Sequence, residues 1–362
     1  EMHGRAAGSA GTLCRALAAG LRAGVDFERS DAASLLPWDG VVAEGLSSEA
    51  TLALHRISVA GGALPAHLAS PGARDLVASG TAYLASDGSV AVSPAVAARA
   101  RLELSDSARA AIARTLELAG LHPVARGFVR IAAGEREAGL TELLVWGRAA
   151  LARGEPGRVV ECLSPALEGT PCDTLRAVAL VIAESERRLG RYELAEARLA
   201  SSGDCPGSLG MIADLARLRG DAVRARREAE RSMASGAALD AALVLARLDL
   251  DVGDLDSALA RVGEVEAACE ESPELRARCH ELHALVGIGR GDLREAERIA
   301  TRALDDALRA GATGPAARLA TVVGAAILGQ GRPALALPAF ERGVELADRA
   351  GERHLGATAR LN

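Results

Sequence analysis

The sequence predicts an all-α fold: an α-solenoid of stacked helical hairpins over residues 140–362, preceded by a small, mainly helical domain. Three observations carry this. Six glycines, Gly154, Gly190, Gly220, Gly253, Gly291 and Gly331, each close one apolar helical segment and open the next, 30 to 40 residues apart. A period in the mid-thirties with that alternation marks stacked hairpins. Five of the six hairpins place alanine five residues after the glycine (Ala195, Ala225, Ala258, Ala296, Ala336), and all six place a small residue seven before it (Gly147, Ala183, Ala213, Ala246, Ala284, Gly324). Antiparallel helices approach closely only where side chains are small, so these are the predicted contact points inside each hairpin. Apolar residues make up 49% of the chain and aromatics 2%, so the core must be Ala, Leu and Val. Such a core suits close-packed helices better than a β-sandwich.

Taken in order, residues 5–24 read as a helix with Leu13, Leu17 and Leu21 on one stripe, and 25–45 as an irregular segment anchored by Trp38. Ser47 caps a helix holding Leu52, Leu54, Ile57 and Val59, and a short helix is expected over 64–69. Ser70-Pro71 is expected to open a third helix to about Val77. Short strands over 81–85 and 89–92 flank the turn dipeptide Asp87-Gly88, and Ser93-Pro94 caps another helix. Three helices followed by a β-hairpin is the layout of a winged helix. An amphipathic helix over 105–120, another over 123–133 and a turn over 134–139 lead into the array. Hairpins are then expected from about Leu140, Asp173, Gly207, Ala237, Glu274 and Pro315, and 352–362 reads as the first helix of a further repeat. A start at Glu1 and an end in mid-pattern fit an excerpt of a longer chain. The predicted domains are 1–46, 47–104, 105–139 and 140–362.

Several function classes are disfavoured. The chain has no lysine, all 42 basic residues being arginine, so a Walker A, Schiff-base or catalytic lysine is impossible in it. A net charge of −6 without a basic cluster argues against extended nucleic-acid contact. Six scattered cysteines with no CxxC read as reduced thiols. The apolar run over 177–183 is far too short to span a bilayer, and residues 1–5 lack a signal-peptide layout, so a cytoplasmic location and no membrane partner are expected. Cys279, His280 and His283 have metal-like spacing on one helix. Counted back from Gly291, however, both histidines fall where the other hairpins carry packing residues such as Leu143 and Trp146. The glycines around Arg290 follow a helix rather than a strand and coincide with a repeat turn, which excludes a dinucleotide loop. No catalytic constellation, metal site or cofactor is expected.

The glycine and small-residue positions match the pattern of the tetratricopeptide repeat (TPR), which the array closely resembles. The resemblance implies a right-handed superhelix whose concave face is lined by the first helix of each hairpin. Positions six and three before each turn glycine point into that groove in the family. Here they hold Arg148, Glu184, Asp214 and Arg247, then Arg187 and Arg217. Arginine forks there would grip a carboxylate-bearing protein or peptide, or a small inducer. The alternative is a charged face on which Glu184 and Asp214 satisfy the arginines locally. Few aromatics argue against a proline-rich ligand.

The order of helix, winged-helix-like unit, connecting helices and TPR hairpins resembles the region that follows the ATPase in MalT-like STAND regulators, the large LuxR-type family. Residues 8–23 then look like the end of the ATPase module, 47–104 like its winged helix, and the run LSDSARAAIARTLELA like the helix that follows. The family's His-Pro after the wing is Ser93-Pro94 here, so no histidine role carries over. The resemblance implies a non-catalytic sensor region that binds an inducer or partner protein and reports to an ATPase domain of the parent chain. A freestanding TPR scaffold is the alternative. A DNA-binding winged-helix repressor is a third reading.

Overall fold

All six punctuating glycines adopt left-handed backbone, with φ between +74° and +86°, a region open to glycine at little cost. Each therefore ends one helix and redirects the chain into the next. The structure, a computed structural model, describes residues 46–85, 87–116, 118, 120–167, 172–203, 206–236, 238–268 and 272–362. The helix expected over 5–24 and the Trp38 segment lie outside these residues. Two compact units divide the chain: one runs up to Trp146 and includes Glu161–Leu175, and the other comprises Gly147–Val160 and Arg176–Asn362.

In the first unit, Ser47 caps α1 (Ser48–Val59) by accepting a hydrogen bond from the Ala50 amide at 3.1 Å. There follow β1 (Ala63–Pro65), α2 (Ala66–Ala69), α3 (Ala73–Ala78), β2 (Tyr83–Leu84), β3 (Ser89–Ala91) and α4 (Pro94–Leu102). The three strands form an antiparallel sheet in the order β1-β3-β2, with Leu64 and Leu84 both opposite Val90. Leu54, Ile57, Leu64, Leu76 and Val90 share one buried cluster. Two expectations fail here. Of the helix expected over 64–69 only 66–69 forms, and Leu64 and Pro65 belong to a strand, because their ladder partner β3 lies far along the chain and a local reading cannot see it. The third helix starts at Ala73, not at Pro71. Gly72, at φ +91°, turns the chain where any Cβ would overlap the Glu49 carbonyl, so the helix begins only after that close approach.

Ser105 caps α5 (Asp106–Thr115), which is shorter than expected because Leu116 leaves the helix in extended backbone and enters the same buried cluster. α6 (Pro123–Ala133) spans the expected range. The turn into the array is only Gly134 and Glu135, since α7 (Arg136–Ala152) already includes Gly139. A Cβ at Gly139 would lie 2.7 Å from Ile131 Cγ1, so glycine is needed for the helices to approach rather than to turn the chain.

The remaining helices are α8 (Pro156–Leu163), α9 (Asp173–Arg188), α10 (Tyr192–Ser202), α11 (Pro206–Leu218), α12 (Ala222–Ala234), α13 (Ala238–Asp251), α14 (Leu255–Ala268), α15 (Pro273–Arg290), α16 (Leu293–Arg309), α17 (Thr313–Gly329), α18 (Pro333–Ala350) and α19 (Arg353–Leu361). The array is a TPR-like α-solenoid. Ala195, Ala225, Ala258, Ala296 and Ala336 are all at most 1% exposed, and the small residues seven before each glycine are buried too. At Gly324 a Cβ would meet the Phe340 ring at 2.7 Å. Buried clusters link neighbours in succession, one across α9–α11, the next across α11–α13, a third across α13–α15 and the last across α15–α18. Among the described residues no helix is long and apolar enough to cross a membrane.

Ala225→Glu or Ala296→Glu is expected to destabilise the array by at least about 1–3 kcal/mol, from overpacking and the cost of a buried charge. Val223→Glu, at a position 84% exposed, should stay within about 0.5 kcal/mol of the parent. Urea melts check both, and coincident curves for all four proteins would contradict the register.

Candidate functional site

The first helix of each hairpin from α9 to α17 contributes charged residues to one stripe. On α9, Arg187 donates to both Glu184 oxygens, Nε to Oε2 at 2.7 Å and Nη2 to Oε1 at 2.9 Å. Arg188 Nε donates to the same Oε1 at 2.7 Å, and its Nη1 to the Leu151 carbonyl at 3.1 Å. On α11, Arg217 donates to Asp214 Oδ1 through Nη2 at 2.9 Å and Nε at 3.2 Å. Arg247 on α13 bonds Asp251 at 3.3 Å and lies 3.8 Å from Glu281 of α15. Glu281 in turn accepts from Arg318 of α17 at 2.8 Å, and Arg278 pairs with Asp240. Most of these side chains are part-buried, which strengthens each pairing relative to open water.

The titration behaviour follows from that enclosure. Burial pushes the Glu184 carboxyl upward, but Arg187 and Arg188 outweigh it and hold the group down at about 2. Asp214 is also held below the usual carboxylate range, burial being overcome by Arg217, Arg187 and Arg278. Burial depresses Arg187, yet Glu184, Glu352 and Asp214 carry it well above the ordinary arginine value. Arg318 is raised in the same way against burial, by Glu281 and Glu352. Glu184, Asp214, Arg187 and Arg318 therefore stay ionised across the physiological range and present fixed charge.

Of the residues singled out from sequence, Glu184, Arg187, Asp214, Arg217 and Arg247 are brought onto this stripe, whereas Arg148 is exposed on α7. Of the two readings offered by the sequence, an open groove and a face on which carboxylates satisfy the arginines locally, the observed pairs fit the second without deciding whether a ligand binds there. The five residues on the stripe are paired within the chain, because alternating signs three or four residues apart on a helix find each other first. The sequence reading missed Arg188, Asp240, Arg278, Glu281, Arg318 and Glu352. Four of these lie ten or thirteen residues before their turn glycines, on the same helical stripe extended toward the N-terminus. Two more counted positions per hairpin would have found them.

His280 and His283 are half-buried, and His280 Nε2 sits 3.2 Å from Glu266. Among the described residues no group of three or more His, Cys, Asp or Glu side chains could hold a metal. A surface hollow of about 460 Å³ along α16 is lined by Arg294, Glu297, Arg298, Arg302 and Arg309 among others. Arg298 and Arg309 there are already paired to Glu295 and Asp306 on their own helix.

No family model matches the chain, and no curated protein matches it. Solved structures similar to it include a tetratricopeptide repeat protein from Parabacteroides merdae, 17% identical, TM-score 0.36, over 61% of this chain and 98% of that one. A Signal Transduction ATPase with Numerous Domains (STAND) protein with a tetratricopeptide repeat sensor, from Pyrococcus horikoshii, is 12% identical with TM-score 0.43. That match covers 87% of this chain and 53% of the other. The APC/C hetero-tetramer Cut9-Hcn1 is 12% identical, TM-score 0.41, over 92% of this chain and 64% of that one.

A carboxyl held low in the folded state stabilises the fold above its unfolded value and loses that contribution as pH falls through the folded value. Glu184 therefore supports the array at neutral pH and ceases to do so between about 4.5 and about 2. Glu184→Gln is expected to cost about 2–3 kcal/mol at pH 7, with the gap to the parent closing as pH approaches 2. Urea midpoints across that range measure it, and a constant gap would exclude the assignment.

Proposed function

We propose that this chain is the non-catalytic sensor region of a MalT-like STAND transcriptional regulator, in which the repeat array binds an inducer or partner protein. The domains would be 1–46, closing an ATPase module, 47–104, its winged helix, 105–139, connecting helices, and 140–362, the sensor array. The observation that carries the binding reading is the charged stripe. Consecutive first helices present part-buried arginines and carboxylates on one face, the place where solenoids of this kind hold extended ligands. The regulator reading rests on element order. Helix, strand, two helices, then a hairpin whose outer partner is the first strand is the arrangement of a winged helix.

DNA binding by that unit is disfavoured by its recognition position. α3 is six residues long and exposes a single cation, Arg74, beside Asp75. Groove binding needs several phosphate-facing cations, and its affinity collapses with salt. The winged helix would instead relay the state of the array to the ATPase.

Two measurements decide between the readings. The reading frame upstream of Glu1 is expected to encode a GxxxxGK[ST] loop, and its absence would leave a freestanding TPR scaffold. A duplex-DNA titration at low salt is expected to be flat, whereas salt-dependent binding would favour the repressor reading. Arg247→Ala, at a side chain 34% exposed, is expected to leave melting within about 1 kcal/mol of the parent while weakening partner capture. Pull-down unchanged by the substitution would remove Arg247 from the binding face.

A further inference from the structure

The two ends of the repeat array touch. A Cβ placed on Gly154, the turn of the first hairpin, would overlap the Arg349 carbonyl oxygen and lie 2.8 Å from its carbon. A Cβ on Gly351, after the last full hairpin, would lie 2.5 Å from Pro156 Cδ. The four turn glycines between Gly190 and Gly291, and Gly331 as well, include none with such a neighbour: Gly190, Gly220, Gly253, Gly291 and Gly331 each face open space. The next residue, Glu352, is a carboxylate only 3% exposed, and it enters the charged stripe from the far end of the chain. Arg187 Nη2 donates to its Oε1 at 3.2 Å, and Arg188 Nε lies 3.7 Å from the same oxygen. That oxygen also lies 3.7 Å from where a Cβ on Gly314 would sit, in the first turn of α17, where a helix favours negative charge. Across the same contact the His354 ring meets the edge of Tyr192, centroids 6.4 Å apart.

We infer that Arg187, Arg188 and the first turn of α17 form a carboxylate socket, which Glu352 occupies in cis as a latch and which an acidic peptide segment takes in trans. The chemistry of the occupant is read from the one present: a single carboxylate, nearly fully buried, facing two guanidinium groups. Once Glu352 withdraws, Glu184 is left hydrogen-bonded to both arginines and Asp214 acts on Arg187, but the site has lost the buried negative charge that also faced Arg188 and Arg318. An acidic segment restores the balance and α19 is released. The closed array is thus the unliganded form, and ligand capture is coupled to the freedom of the last helix. The inference rests on the charged stripe being a binding surface, and it holds for a sensor region or a freestanding scaffold alike.

The test titrates the chain with fluorescein-labelled hexaglutamate, beside Glu352→Gln and Glu345→Gln. Glu345 is exposed, so its substitution makes the same charge change outside the socket. Affinity is expected to rise at least ten-fold in Glu352→Gln only, and the gain to vanish when Arg187→Gln is added. Hydrogen exchange at residues 353–361, measured without peptide, is expected to quicken in Glu352→Gln and not in Glu345→Gln. Equal affinity in parent and both variants overturns the socket, as does a gain that survives the loss of Arg187. Exchange unchanged in Glu352→Gln overturns the latch. A second pair keeps the inference testable if Glu352→Gln misfolds. Gly154→Ala and Gly190→Ala carry similar backbone strain, at φ +79° and +74°, but only Gly154 meets the other end of the array. Gly154→Ala is expected to bind hexaglutamate more tightly and to free α19, and an equal response of the two glycine variants overturns the inference.

Discussion

Close approach of paired helices at small side chains is the constraint on which the array depends. With aromatics at 2% of the chain, few hairpins have a bulky ring between their helices, Phe340 against Gly324 being one such case. The helices must instead come near enough for alanine and leucine to reach across. The alanine five residues after five of the six turns and the small residue seven before each turn are almost fully excluded from water, and at the first turn the buried Val159 takes the alanine's place. Because each buried cluster joins a helix pair to the next, the spacing set within one hairpin is passed to its neighbour.

The same closeness controls where charge can sit. Glu186 and Asp249, four residues before their turn glycines, are at most 4% exposed and are met by Arg198 and Arg261 from the returning helix. Arg226, one hairpin earlier, also donates to Asp249 at 2.7 Å, so that carboxylate ties two hairpins together. Buried pairs of this kind add little net stability against an apolar alternative, but an unpaired partner would be costly, so they penalise any slip in register. On the opposite edge of the first helices the charges line the stripe, where Glu352 joins the last helix to α9. One arrangement thus serves both to order the hairpins and to present a polar surface.

The hairpin array was open to a reading of the sequence because its signals are local. Turn glycine, alanine contact and helix cap all lie within a few residues of one another, and most helices begin within a few residues of the expected positions. The small leading unit was less legible. Leu64 and Pro65 were taken for helix because Leu64 owes its strand geometry to Val90, which a local window cannot pair with it. Gly139 was taken for turn because glycine serves equally for a left-handed bend and for helix contact, and only the position of Ile131 distinguishes them.

For the candidate site the division is sharper. Residue order alone determined that Glu184, Arg187, Asp214, Arg217 and Arg247 fall on one helical face, since their offsets from the turn glycines repeat with helical spacing. It also determined that no lysine chemistry is available to the chain. Only the tertiary structure decided that those arginines are already paired, and that Glu352, 165 residues beyond Arg187, closes the set. A repeat period describes how each hairpin meets the next, whereas the meeting of the first and last turns depends on the summed rotation of all of them.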